Sequence, residues 1–169
     1  AFVFELAGGT VRSTYHPSVD RNTAGRLAAL QDRVLAQVAG IRLAKDQPYR
    51  MFDVAFDFAE DEPRLPLSVA ETVRDICIAG GAEARISSIH VNAWFGAYSK
   101  ADMSRRFLEE TVGINAASFG SRVAFIGDSP NDAPMFEYFP YAAGVRNLLN
   151  FADQIKHFPA YLASREGGE

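Results

Sequence analysis

One stretch constrains this chain more than any other: Arg122-Val123-Ala124-Phe125-Ile126-Gly127-Asp128-Ser129-Pro130-Asn131-Asp132. It opens with a short apolar run of the kind that forms a strand buried on both faces, then breaks into turn residues where such a strand would end. Strands of that type belong to parallel α/β sheets, whose ligands collect beyond the carboxyl ends of the strands. Asp128 and Asp132 lie four apart across a tight turn, so both carboxylates can converge on one hard cation, with Asn131 and water filling the shell. Such a shell suits magnesium. Gly, Asp, Ser, Pro and Asn are also plain turn formers and helix caps, so the residue types alone leave both readings open.

Composition sets the scale around that stretch. With 169 residues, 48% of them hydrophobic and 22% charged, the chain suits one globular domain or two small ones with a real core. A formal net charge of -4 argues against a nucleic-acid binder, which needs a basic face. No apolar run approaches the ~20 residues that span a membrane. The single cysteine, Cys77, excludes an internal disulfide and fits a reducing, cytoplasmic setting; within an apolar helical pattern it reads as a buried structural thiol.

The order of elements follows from periodicity. Ala1 to Leu6 reads as a strand already under way, Ala7-Gly8-Gly9-Thr10 as a turn, and Val11 to Thr14 as a second strand leading to His16-Pro17. Leu27, Leu30, Val34, Leu35 and Val38 recur at helical spacing from Asn22, with Gly40 as the expected C-cap. Met51 to Phe58 alternates, with Phe52, Val54, Phe56 and Phe58 opposite Asp53, Ala55 and Asp57, which predicts a half-buried antiparallel strand. Asp53 and Asp57 share its polar face, either as a carboxylate pair at a cleft or as a solubilising surface. Glu60-Asp61-Glu62-Pro63 reads as a solvated acidic loop, and Arg42, Lys45 and Arg50 as a charged loop or an anion hold. Ser68 and Glu71 are spaced as a capping box for a helix through Val73 and Cys77 to Gly80-Gly81, and Ala84 to Trp94 reads as one further strand. The tail after Pro159 is expected to fray.

A second candidate lies at Trp94-Phe95-Gly96-Ala97-Tyr98-Ser99-Lys100. Ser99 can cap a helix through Met103 and Phe107, which puts Lys100 in its first turn, where the helix dipole disfavours a cation unless an anion sits opposite. Trp94 and Phe95 could line a cleft there or simply pack. His16, His90 and His157 are too scattered for a zinc site.

Gly127-Asp128-Ser129-Pro130-Asn131-Asp132 resembles the fourth motif of the haloacid-dehalogenase (HAD) superfamily of phosphohydrolases, Gly-Asp-x-x-Asn-Asp, and Ala142 to Asn147 resembles the strand and loop that follow it. Lys100 matches the third-motif lysine, and the layer between residues 22 and 94 resembles the inserted cap of subfamily IIB, which includes sucrose-phosphate and mannosylphosphoglycerate phosphatase-like proteins. This resemblance implies an α/β fold with a HAD-like Rossmannoid core, partial in this chain, at 1–15 and 95–169, and an α+β cap at 16–94. It implies Mg²⁺-dependent hydrolysis of a phosphomonoester, a sugar phosphate or similar small metabolite. Lys100 and Asp128 would be catalytic; Asp128, Asp132 and Asn131 would hold Mg²⁺. In that family an aspartate attacks phosphorus and a second, two residues on, moves the proton. No two aspartates here are two apart, so the chain is expected to lack the nucleophile segment, to be inactive alone, and to expose a sheet edge that invites association. Two other classes stay open: a non-catalytic module that binds a phosphorylated ligand, and a receiver-like domain, against which the Phe52 to Phe58 alternation speaks.

Overall fold

The computed structural model describes residues 2–167 and divides into two compact units, one of Ala1–His16 with Tyr98–Glu169 and one of Pro17–Ala97. In the first, β1 (Phe2–Ala7) and β2 (Thr10–Tyr15) pair as an antiparallel hairpin. Gly8 and Gly9 turn it with φ of 57° and 78°, a two-residue turn whose twist suits the strands and which side-chained residues adopt with strain.

The second unit contains α1 (Ala24–Gln37), β3 (Arg42–Leu43), a 3-10 turn at Gln47–Tyr49, β4 (Asp53–Asp57), α2 (Leu67–Ala79), β5 (Glu83–Ile86) and β6 (His90–Trp94). Its sheet is antiparallel throughout, in the order β3-β4-β6-β5. Leu27, Leu30 and Val34 of α1 and Ala70, Val73 and Cys77 of α2 pack with Val54, Phe56, Val91 and Ala93 of the sheet in one cluster. Each large side chain removed from water there stabilises by roughly 1.5–3 kcal/mol. α2 ends in a complete Schellman arrangement: Gly81 at φ 78° donates to Ile78 O, and Ala82 N reaches Cys77 O at 3.1 Å.

The chain then returns to the first unit with α3 (Lys100–Arg106), which runs on as a π-helical turn over Phe107–Thr111, followed by α4 (Phe119–Arg122), β7 (Ala124–Gly127), α5 (Ala133–Tyr138), β8 (Tyr141–Gly144), a 3-10 segment at Arg146–Gln154 and β9 (Tyr161–Leu162). β7, β8 and β9 form a parallel sheet in that order. Its packing is split into two small clusters, one around Ala101, Ile114, Phe119, Met135 and Phe139, the other around Phe136, Ala142, Leu148 and Ile155; Phe125 touches both.

Several expectations are corrected. β7 is parallel, as read, but is not buried on both faces: Ile126 is 70% exposed, and among the described residues β7 pairs only with β8. β4 errs the other way. As an inner strand of its sheet it buries Ala55 and Asp57 along with Val54 and Phe56, so it is not half-exposed. Residues 84–94 are two strands, because Ser87 turns the chain by pairing its N–H with His90 O at 2.7 Å and accepting His90 N at its hydroxyl. α2 begins with Pro66 as its N-cap and no side-chain cap, so Ser68 lies inside the first turn and the predicted capping box does not form. Helix α1 stops at Gln37, and Gly40, at φ 80°, turns the chain two residues beyond the Val38 cap. The tail is tied down rather than frayed as far as Gly167: β9 pairs with β8, Arg146 N donates to Arg165 O, and Gly167 N donates to Asn147 Oδ1. Gly168 and Glu169 lie outside the described residues.

Candidate active site

At the carboxyl end of β7 the chain leaves the sheet through Gly127 and Asp128 and enters a short 3-10 turn, Pro130–Asp132, which leads directly into α5. That turn folds Asp132 back over the strand end. Asp132 is 3% exposed, and its Oδ2 accepts the Asp128 N–H at 3.0 Å and the Ser129 N–H at 3.4 Å. A buried carboxylate needs such donors, since burying a charge without partners is costly. The return path requires glycine at 127, because a Cβ there would stand 2.6 Å from Asp132 Oδ2 and 2.8 Å from its Cγ.

The other oxygen of Asp132 meets the second sequence candidate. Lys100 Nζ donates to Asp132 Oδ1 at 2.6 Å. Lys100 is the first residue of α3, whose N-cap is Ser99, with its hydroxyl accepting Asp102 N–H at 3.1 Å and donating to Asp102 Oδ2 at 2.7 Å. The anion expected opposite this helix start is therefore Asp132. The lysine side chain is 56% exposed, so the pair is half open to solvent and adds little stability, while its ammonium remains accessible to a further anion.

Asp128 and Asn131 complete the cluster in different states. Asp128 is exposed at the strand end, whereas the amide oxygen of Asn131 is buried and has no hydrogen-bond partner. A buried acceptor left unpaired normally costs on the order of 1–3 kcal/mol, so this oxygen marks a place where a donor or cation fits. An exposed carboxylate and an amide oxygen are hard donors of the kind magnesium takes, one or two carboxylates usually sufficing beside water and phosphate oxygens. Among the described residues no group of three or more His, Cys, Asp or Glu side chains gathers as a metal site. Of the three cation ligands expected from the sequence, Asp128 and Asn131 have oxygens open to such a role, while both oxygens of Asp132 already accept hydrogen bonds.

The remaining candidates sit elsewhere and are engaged. Asp57, 2% exposed, pairs with Arg42 at 3.1 Å and accepts Glu60 N–H at 2.7 Å, so it neither faces a cleft nor solubilises the sheet. Arg50 binds Asp53, the Asn92 amide oxygen and, through two 2.8 Å bonds, Asp46, whose carboxyl it holds below the usual carboxylate range. Lys45 donates to Asp61, which raises the lysine and lowers the carboxyl. The loop read as merely solvated thus holds Lys45 through Asp61 and Arg42 through the backbone carbonyls of Asp61 and Glu62, and its Glu60 also holds His90 Nε2 at 2.8 Å. His157 lies 3.7 Å from Glu137 at the surface. Phe95 is buried beneath the Arg26 guanidinium, 3.8 Å from its ring centre, and Trp94 is half-buried. Cys77 is fully buried, and burial pushes its thiol up to about 11, which leaves it unreactive near neutrality.

Sequence reasoning assigned Gly127 no role beyond the motif and did not see Asp132 as the partner of Lys100. The helix-start lysine was the signal available for the second.

No family model matches the sequence, and no curated protein is significantly similar to it. Solved structures are. The chain has an α/β fold of the HAD-like type, as shown by its likeness to solved structures with a Rossmann-like core. One is the sucrose-phosphatase of Synechocystis sp. PCC6803, solved with sucrose and phosphate, at 19% identity and a TM-score of 0.57 over 89% of this chain and 64% of that one. A Thermoplasma acidophilum protein matches at 18% identity and a TM-score of 0.57, covering 94% and 60% of the two chains. A trehalose-6-phosphate phosphatase related protein matches at 15% and 0.53, covering 95% and 62%. The chain therefore spans about three-fifths of the length of the structures it resembles.

Proposed function

We propose that this chain carries the lysine and metal half of a Mg²⁺-dependent phosphomonoester hydrolase that acts on a sugar phosphate or similar small phosphorylated metabolite. The observation that carries the reading is the Lys100–Asp132 pair at the carboxyl end of β7, with Asp128 exposed in the same turn. The phosphatase names among structures of the same fold support the reaction class, and the sucrose-phosphatase and the trehalose-6-phosphate phosphatase related protein support the kind of substrate. On this reading the unit containing β7 is the core and the unit of Pro17–Ala97 is the cap.

Roles follow from the geometry. Asp128 and the Asn131 amide oxygen hold the cation, which when bound draws charge from the phosphoryl oxygens. Asp132 stays with the lysine and the loop N–H groups, fixing both. Lys100 keeps its ammonium at the strand end, half in solvent, where it balances charge on a phosphoryl group; for phosphoryl transfer, positioning and charge are most of the catalysis. The attacking carboxylate and its acid–base partner come from polypeptide outside these 169 residues. Among the described residues β7 pairs on one edge only, which supports a further strand on the other. The isolated chain binds without turning over.

Mn²⁺ titration followed by paramagnetic broadening of backbone amides tests the site directly, with Mg²⁺ as competitor. Broadening centred on 127–132 that Mg²⁺ reverses and Asp128→Asn removes is expected; broadening scattered over the acidic loops overturns the metal assignment. Mg²⁺-dependent release of phosphate from sugar phosphates by the purified chain would overturn the division of the active site, and a protein carrying the missing segment that releases none would leave a phospho-ligand-binding module as the better reading.

A further inference from the structure

The Lys100–Asp132 bond joins two segments that begin in the same way. Ser99-Lys100-Ala101-Asp102 and Ser129-Pro130-Asn131-Asp132 are both Ser-x-x-Asp, the spacing at which a serine at a helix start and an acid three residues on can exchange hydrogen bonds. The second forms the reciprocal box, and its Asp132 also takes the lysine. In the first, Ser99 Oγ accepts the Asp102 N–H at 3.1 Å and donates its own proton to Asp102 Oδ2 at 2.7 Å. Asp102 is exposed, yet its carboxylate turns back on Ser99 rather than pairing with a basic side chain.

The length of α3 does not call for so firm a start. Among the described residues five α-helices form, and α3 is the one whose N-cap side chain accepts a hydrogen bond, although it has 7 residues where α1 has 14 and α2 has 13. Tyr98 and Met103, 8% and 5% exposed, occupy the positions before the cap and in the first turn where apolar side chains fix the entry of a helix. What sets α3 apart is its first residue. A lysine there opposes the helix dipole, and its side chain leans back over the N-terminus, so a first turn that frays takes the ammonium with it. We propose that Asp102 is a positioning residue: by closing the exchange with Ser99 it holds the start of α3 and so aims Lys100 at Asp132 and the end of β7. Its functional meaning rests on the reading of Lys100 as the group that balances charge on a phosphoryl group.

The chain has three lysines, Lys45, Lys100 and Lys156, so ¹⁵N-edited spectra of the whole chain can follow each ammonium. Proton exchange at the Lys100 ammonium is expected to speed up by about fivefold in Asp102→Ala, the factor that losing a helix cap is worth, and to stay within about twofold of wild type in Asp102→Asn, whose amide oxygen still accepts the Ser99 proton. Lys45, held by Asp61 in the other unit, is the internal control and should not change. Unchanged exchange at Lys100 in Asp102→Ala overturns the proposal, as does a loss in Asp102→Asn equal to that in Asp102→Ala, or equal speeding at Lys45, which marks general loosening. If Asp102→Ala fails to fold, Ser99→Ala breaks the same exchange from its other side, and an unchanged Lys100 signal there overturns the proposal. The readout needs neither metal nor substrate, so its failure is distinct from failure of the proposed function, which the Mn²⁺ titration reads.

Discussion

The two units spend their sequence in opposite ways. Pro17–Ala97 closes one continuous core between two helices and a four-stranded antiparallel sheet, buries both faces of β4, and pairs Arg42, Lys45 and Arg50 with carboxylates of the same unit. The unit containing β7 divides its apolar residues between two small clusters and leaves Phe4, Leu6, Val11 and Ile126 between 59% and 74% exposed. Parallel sheets are normally covered on both faces, so a bare β7 is a departure, and the candidate site sits at the end of that bare strand. The closed unit carries buried charge only as matched pairs. In the open one an exposed carboxylate, an unpaired amide oxygen and a half-exposed ammonium lie at one strand end, which is a poor way to stabilise a fold and a good way to meet a ligand.

Substitutions separate the two economies most sharply at Phe56. This residue is fully buried at the centre of the closed core, and Phe56→Ala should cost about 3–5 kcal/mol, read as a fall in the urea midpoint with the slope unchanged. If denaturation instead shows two separate transitions, only the one belonging to residues 17–97 should move. Asp57→Ala comes next. It strands Arg42 and frees the Glu60 N–H, and since Arg42 is 39% exposed the loss should fall below the 3–5 kcal/mol of a fully buried pair, at about 2–3 kcal/mol. A near-neutral result would mean that solvent reaches the pair and that the closed unit is less sealed than its burial implies.

Gly127→Ala tests the open unit where it is tightest. The new methyl meets the Asp132 carboxylate at less than 3 Å, so the turn must shift, at a cost of about 1–3 kcal/mol. The informative readout is the lysine: ¹⁵N-edited spectra of the Lys100 ammonium should show its bond to Asp132 weakened, and Mn²⁺ broadening around 127–132 should decline. Destabilisation with an intact Lys100 signal would show that Gly127 serves packing alone.

What the sequence made legible follows the same division. The helical spacing of Leu27, Leu30 and Val34, the turn at Gly8-Gly9 and the cap at Ser99 could be read because each depends on neighbours within a few residues. The motif residues could be read because their types and spacing are unusual together. Partners could not. That Asp132 belongs to Lys100, Asp57 to Arg42 and His90 to Glu60 depends on strand order and register, which local periodicity does not contain. The burial errors on β4 and β7 have the same origin: alternation predicted an exposed face for an inner strand, and an apolar run predicted a covered face for a strand that pairs on one side. A run of side chains states what it could bury, and the rest of the fold decides what is there to cover it.

Ile126 gives the smallest effect and the finest discrimination between the two units. An apolar strand residue that is 70% exposed makes little contact, so Ile126→Thr should leave stability within about 0.5 kcal/mol, β-branching being kept and almost no burial lost. An exposed apolar side chain on a sheet face also invites association between chains, so the same change should reduce concentration-dependent association measured by light scattering. A loss of more than 1 kcal/mol would require Ile126 to be covered in solution, by another copy of the chain or by a segment folding onto β7, and the dependence of that loss on protein concentration would tell the two apart: association by mass action grows with concentration, and cover within one chain does not.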